Sequence, residues 1–341
     1  MMTPTSMNLS RIARIVRFIF LIMPVFLMIQ AGTAAPVCAF EHFRIGTGGS
    51  TGVYYPIGKQ IATGITMQAE QKDSPLHGII AIAQNSAGSM ENARMVSNGE
   101  LGAGLVQADI ASYAYNGQRE FASEPHSAKL RAIASLYSEK FQMVVRKDAG
   151  IRSYNDLRGK RISVDEPGSG TRLVTEIVLS AYGLTENDIL PQYLKPVFTE
   201  DKMKNGQLQG FSMMAGTPMA AVTKLLPVGL HLLAIDPFIA ENITRRYPYL
   251  TKGNIEKDVY SGISETPTIE VYALFVVNSD MADDMAYALT EVLFSRKTKE
   301  LLVQGHPQGK NITLASALNG ISIPLHPGAR RFYDDIKTSR Q

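Results

Sequence analysis

Residues 43–62 read FRIGTGGSTGVYYPIGKQIA. Phe43 and Ile45 flank Arg44 in the alternation of a strand, glycines follow at 46, 48, 49 and 52, and Pro56 then stands where a helix begins. Ile57, Ile61 and Ile65 recur at helical spacing after it. The stretch therefore predicts strand, glycine loop, helix, and the same unit returns along the chain. Residues 78–83 (GIIAIA) predict a short buried strand. Asn85-Ser86-Ala87-Gly88-Ser89 then opens a helical segment carrying Met90, Ala93 and Val96 and closed by Gly99. Residues 101–106 lead into Gln107-Ala108-Asp109 and a short helix ending at Asn116-Gly117, and residues 130–136 and 141–145 predict two further strands.

A second block begins near Asp148. Ser153 and Asp156 have the spacing of a capping box, and residues 160–164 predict a strand that runs into DEPGSGTR (165–172) and a helix to Tyr182. Residues 210–215 and 230–235 add strands. Residues 269–277 (IEVYALFVV) form the longest apolar run after the N-terminal segment, long enough for a buried strand crossing between two lobes. Asp280 is a candidate cap for a helix over 281–294, and a last helix is expected after Pro327. Alternating strands and helices predict an α/β fold with a mostly parallel sheet flanked by helices.

The composition agrees. The 341 residues are 45% hydrophobic and 19% charged, with one cysteine and no tryptophan, which excludes collagen-like, coiled-coil, disulfide-stapled and disordered chains. At about 150 residues per domain the length predicts roughly two domains. Arg11, Arg14 and Arg17 precede the apolar run FIFLIMPVFLMI (18–29), and small residues follow at 31–35, the order of a secretory signal peptide. The run is interrupted by Pro24 and falls short of the ~20 apolar residues a spanning helix needs. Residues 1–39 are expected to be this signal, with cleavage after Ala39 favoured and neighbouring positions open, so the mature protein is expected in the periplasm. Without it the chain has 31 basic and 31 acidic residues. That balance, with no Lys/Arg cluster, argues against nucleic acid as a partner. No metal or cofactor is expected.

The loop at 46–52 contains a formal G-x-S-x-G match at Gly48, Ser50 and Gly52, which raises an exported α/β hydrolase using Ser50 as the alternative function. No histidine is placed as its partner by the sequence. Thr51 stands where a dinucleotide fingerprint has its third glycine, and the spacing to Gly58-Lys59 is one residue too long for a P-loop. The loops at 46–52, 85–89 and 168–172 each put small polar residues immediately before a helix. Helix N-termini present unpaired N–H groups and about half a positive charge, so three of them converging, with Arg172 nearby, would hold a carboxylate without a metal.

Beyond these patterns, FRIGTGGSTGVYYPIGKQIA (43–62), NSAGSMENARMVSNGELGAGLVQADIASYAYNG (85–117), LRAIASLYSEKFQMVVRKD (130–148), LRGKRISVDEPGSGTR (157–172), SETPTIEVYALFVV (264–277) and IPLHPGARRFY (323–333) resemble the TAXI family. These are the extracytoplasmic solute-binding proteins of TRAP transporters, the immunogenic-protein type. The resemblance covers nearly all of the chain after the signal segment, and Tyr54-Tyr55-Pro56 and the Pro-Gly-Ser-Gly-Thr run at 167–171 are its specific motifs. It implies a non-enzymatic, two-lobed periplasmic-binding-protein fold, type II-like, lobe 1 over 40–138 plus 274–341 and lobe 2 over 139–273, joined by hinge strands; a monomer is expected. It further implies docking on TRAP membrane subunits. The ligand expected by analogy is a small carboxylate, a dicarboxylate or an acidic amino acid such as glutamate or 2-oxoglutarate. The family's loops carry over to Gly49, Ser50, Thr51, Tyr54 and Tyr55, to Asn85, Ser86, Gly88 and Ser89, to Gln107, and to Gly168, Ser169, Gly170, Thr171 and Arg172. Asp109 reads as a helix cap. Gln209 and Gln142 depart from the family's pattern and leave the ligand open, as does a role in sensing or surface interaction rather than uptake.

Overall fold

The computed structural model describes residues 41–124 and 127–339. The expected signal segment lies outside them. Ten strands form one sheet: β1 (Glu41–Gly46), β2 (Ile79–Gln84), β3 (Ala103–Gln107), β4 (Leu130–Arg146), β5 (Arg161–Ser163), β6 (Leu190–Gln192), β7 (Gly210–Ala215), β8 (Leu230–Leu232), β9 (Thr251–Ile255) and β10 (Thr266–Asn278). The helices are α1 (Tyr54–Ala69), α2 (Ser89–Ser97), α3 (Ala108–Asn116), α4 (Gly170–Ala181), α5 (Pro196–Lys204), α6 (Ala220–Leu225), α7 (Pro237–Arg246), α8 (Asp283–Phe294), α9 (Arg296–Gly305) and α10 (Pro327–Thr338). The fold is thus mixed α/β, a multi-strand sheet flanked by helices.

The strand order β2-β1-β3-β10-β4-β7-β5-β6 divides the sheet into three parts. At one end β2, β1 and β3 are parallel, and at the other β7, β5 and β6 are parallel. Between them β4 and β10 run antiparallel to each other and to their outer neighbours. These two long strands change partners partway along. β10 lies against β3 over 273–277 and against β9 over 266–270, while β4 meets β7 over 140–145. The β4–β10 register shifts between Ala273 and Leu274, at the change of partner.

Both faces of the central strands are covered, which is why 269–277 reads as a continuous apolar run rather than an alternating one. Ala273, Phe275 and Val277 join one core with Ile57, Ile61 and Ile65 of α1 and Leu289 of α8, whereas Leu274 and Val276 join the other with Val96 of α2, Ile110 of α3 and Val174 of α4. Fully burying each of these Val, Leu, Ile and Phe side chains is worth about 1.5–3 kcal/mol. The C-terminal residues return to the first part of the sheet: α10 packs on α8, and the Tyr333 hydroxyl donates to the Ile133 carbonyl of β4 at 3.0 Å.

Two local expectations need correction. Residues 130–136 and 141–145 are halves of a single 17-residue strand. The polar stretch Tyr137-Ser138-Glu139-Lys140 breaks the apolar pattern without breaking the backbone, because Glu139 faces a cavity rather than the core. Asp280 does not cap the helix that follows, since its carboxylate pairs with Lys129 Nζ at 2.6 Å and the helix starts later, at Asp283. The Ser153–Asp156 capping box is present, closing a single 3₁₀ turn. Among the described residues no helix is long and apolar enough to cross a membrane.

Candidate functional site

The carboxyl ends of the parallel strands of both outer groups point to one cavity of about 60 Å³, the place where open α/β sheets hold ligands. Gly48 and Gly49 reach it from the loop after β1 and Gln107 from the end of β3. Asp165 and Glu166 come from the loop after β5, Met213, Met214 and Ala215 from the end of β7, and Glu139 from the middle of β4. The first residues of α1 (Tyr54), α2 (Ser89), α4 (Gly170, Thr171) and α5 (Pro196) complete the wall, and Gln107 is the N-cap of α3. Five helix N-termini therefore face one small space. Their partial charges give it a positive backbone field, and among the described residues no Lys or Arg side chain lines it.

The three glycine loops meet here, and they meet closely. Gly168 O accepts from the N–H groups of Met90 (3.0 Å) and Glu91 (3.2 Å), so the first free donors of α2 grip the loop of the opposite sheet group instead of standing open. Gly168 adopts φ +93°, a conformation that favours glycine. A Cβ at Gly170 would lie 1.8 Å from Gln107 Oε1, so any side chain at 170 would displace the Gln107 amide or part the seam.

A hydrogen-bonded chain runs along the wall. Tyr54 OH donates to Glu139 Oε2 at 3.0 Å and lies 3.3 Å from Ser89 Oγ, and Ser89 Oγ accepts from Gln107 N at 3.1 Å. Gln107 is 2% exposed and its Nε2 has no partner among the described residues. Across the cavity, Ser169 Oγ donates to Asp165 Oδ2 at 2.7 Å and accepts from Thr171 N at 3.0 Å, capping α4. Thr171 Oγ1 accepts from Met214 N at 3.1 Å, locking α4 to β7. Burial holds Glu139 well above the usual carboxylate range, with the nearby Asp109 charge adding to the shift and the Tyr54 hydrogen bond opposing it. Burial likewise pushes Asp165 up to about 6 against its hydrogen bonds from Ser169 and the Glu166 N–H.

Of the residues singled out from sequence, Gly49, Tyr54, Gly88, Ser89, Gln107, Ser169, Gly170 and Thr171 line the cavity, and Gly168 sits in the seam beside it. The others lie elsewhere. Ser50 and Asn85 are exposed, and Thr51 is buried outside the lining. Tyr55 lines a separate surface groove with Lys59 and Ile82. Ser86 is a structural hydroxyl, donating to Thr47 O and Asn92 Oδ1 and accepting from Gly88 N. Arg172 turns away, paired with Glu186 (3.1 Å) and Glu176 (3.4 Å) and stacked over Tyr193. No histidine lines the cavity among the described residues, and Ser50 is not in its wall. Asp109 is the first-turn residue of α3 and is buried beside the site rather than in it.

Sequence reasoning missed Glu139, Asp165, Glu166, Pro196 and Met213–Ala215. The signal for Glu139 is an isolated carboxylate in an otherwise buried strand, a residue type almost never buried without a reason. The signal for Asp165 is its place at the end of β5, directly before a glycine loop.

Residues 45–336 match the NMT1-like family, and the chain belongs to it. Among solved structures, a protein from Bordetella bronchiseptica RB50 is 16% identical with a TM-score of 0.52, the alignment covering 88% of this chain and 81% of that one. It shares the fold. The periplasmic aliphatic sulphonate binding protein SsuA from Escherichia coli is 16% identical over 86% of this chain and 83% of its own, with a TM-score of 0.47. The alkanesulfonate-binding protein SsuA from Xanthomonas axonopodis pv. citri, bound to MOPS, is 15% identical over 89% and 85%, also at 0.47.

Proposed function

We propose that this NMT1-like protein is a non-enzymatic solute-binding protein that closes two lobes over a small carboxylate and delivers it to the membrane subunits of a TRAP-type transporter, in the manner of the TAXI proteins its motifs resemble. Residues 1–39 direct it to the periplasm, where it acts as a monomer. The observation that carries the reading is the meeting of three glycine loops, drawn from both outer groups of the sheet, around one cavity ringed by helix N-termini. A carboxylate there is held by backbone N–H groups and by Gln107 Nε2. Support for lobes over 40–138 plus 274–341 and over 139–273 comes from β4 and β10, which change partners near 137–140 and 271–273 with a register shift beside Ala273. Ligand shifts an open–closed equilibrium by its preference for the closed form.

The test is a dye-reported melting curve of ligand-stripped protein against amino acids, keto acids and dicarboxylates. A ligand at a hundred times its Kd adds about 2.7 kcal/mol, which at roughly 2 °C per kcal/mol raises Tm by about 5 °C. Silence across the panel together with Ser50-dependent hydrolysis of a model ester would return the hydrolase.

A further inference from the structure

Resting on the solute-binding reading above, we infer that the cavity selects a ligand carrying an ammonium group beside its carboxylate, with Glu139 as the specificity-determining residue for the amine, and that it rejects the matching dicarboxylates, keto acids and hydroxy acids. The wall is chemically asymmetric. Donors are supplied by Gln107 Nε2, buried and without a partner among the described residues, and by the helix-N-terminal N–H groups other than those of Met90, Glu91 and Thr171, which are already taken. Acceptors are supplied by three carboxyl groups, Glu139, Asp165 and Glu166. Glu139 is 2% exposed, and the hydrogen bond found for its carboxyl is the one that Oε2 accepts from Tyr54.

The charges around Glu139 are of one sign. Asp109 lies close enough to oppose its ionisation, and Asp165 and Glu166 share its cavity; Tyr54 from α1 and Tyr137 from its own strand are neutral phenols. The cations of this region are engaged elsewhere, Arg172 with Glu186 and Glu176, and Lys195 with Glu166 from outside the lining at 3.7 Å. A second ligand carboxylate would enter a space that no Lys or Arg among the described residues lines, beside acids of which only Glu166 has a lysine partner. An ammonium meets an acid that lacks only a counterion. Burying a charge is costly unless it is paired and hydrogen-bonded, so the ligand amine and Glu139 each supply what the other needs.

The experiment compares matched triplets by calorimetry on the ligand-stripped full protein: glutamate with 2-oxoglutarate and 2-hydroxyglutarate, and alanine with pyruvate and lactate, in wild type, Glu139→Gln and Asp165→Asn. In wild type the amino acid of at least one triplet binds about 30-fold or more tighter than its amine-free partners, a ratio within reach of a site built for one polar group. Glu139→Gln shrinks the ratio to about 3-fold or less by weakening the amino acid alone, while Asp165→Asn leaves most of it. The wild-type comparison stands whether or not either variant folds. Equal or tighter binding of a keto or hydroxy acid overturns the amine assignment and leaves the solute-binding reading intact. Selectivity unchanged in folded Glu139→Gln overturns the role of Glu139. A wild-type protein that binds none of the six overturns the carboxylate reading and this inference together.

Discussion

Replacing Asp109 by Asn should stabilise the ligand-free protein, and the gain should depend on pH. Asp109 is 1% exposed, Oδ1 accepts the Ile110 N–H at 2.9 Å, and Oδ2 has no partner among the described residues. Burial raises the carboxyl from 3.8 to about 6, against the opposing pull of the Ile110 hydrogen bond and the Arg119 charge. Because the folded state holds its proton to higher pH than the unfolded chain, this contribution is fully present below about 4 and is lost as pH rises through about 6. Two pH units at 1.36 kcal/mol each put the cost of the ionised form at about 3 kcal/mol at pH 7.5 and about 1.5 kcal/mol at pH 5. Asparagine keeps the Oδ1 acceptor and puts Nδ2 where Oδ2 had no partner, so the number of unpartnered atoms is unchanged. Asp109→Asn should therefore raise Tm by about 6 °C at pH 7.5, taking roughly 2 °C per kcal/mol at this size, and by about half as much at pH 5. Melting curves of both proteins at the two pH values measure this. A variant that is neutral or destabilised at pH 7.5, or that gains more at pH 5, would refute the claim that burial dominates at Asp109.

Two further substitutions test the seam and the arginine. Gly170→Ala forces a Cβ into Gln107 Oε1, and whether the seam parts or the amide swings away, the ligand loses a donor; affinity measured by calorimetry should fall at least about tenfold, with roughly 1–3 kcal/mol of stability lost to overpacking. Unchanged affinity would mean the lobes bind without closing to this distance. Arg172→Ala removes a half-exposed ion pair worth less than about 1 kcal/mol and should leave affinity within about twofold. A tenfold loss would put the guanidinium back in the site.

The legibility of the molecule follows from which forces are periodic. The strand–loop–helix units and the 269–277 crossing strand could be read because burial on one or both faces writes itself into the order of apolar residues. The antiparallel pairing of the central strands and their partner change were not readable, since register depends on residues more than a hundred positions apart, such as Tyr272 opposite Ser138. The loops at 46–52, 85–89 and 168–172 were legible as glycine-rich helix starts. Which side chains within them turn inward was not: Ser50 and Ser89 are the same residue type in similar loops, and only Ser89 packs against Tyr54 and Gln107.

The break at Tyr137–Lys140 joins the two problems. Read along the chain it separates two predicted strands, because charged residues interrupt buried strands only at a cost; in the fold it is the point where the pairing of β4 with β10 gives way to its pairing with β7 and where Glu139 is presented to the cavity. Local rules are expected to fail where function is placed, and here the failure has an electrostatic counterpart. The positive field of the site comes from peptide dipoles at five helix ends, which leave no mark in a count of lysines and arginines, while its negative groups are Glu139 and, more than twenty residues on, the adjacent Asp165 and Glu166. A search for a basic cluster would therefore pass over this cavity and settle on Arg172, whose charge is already spent on Glu186 and Glu176.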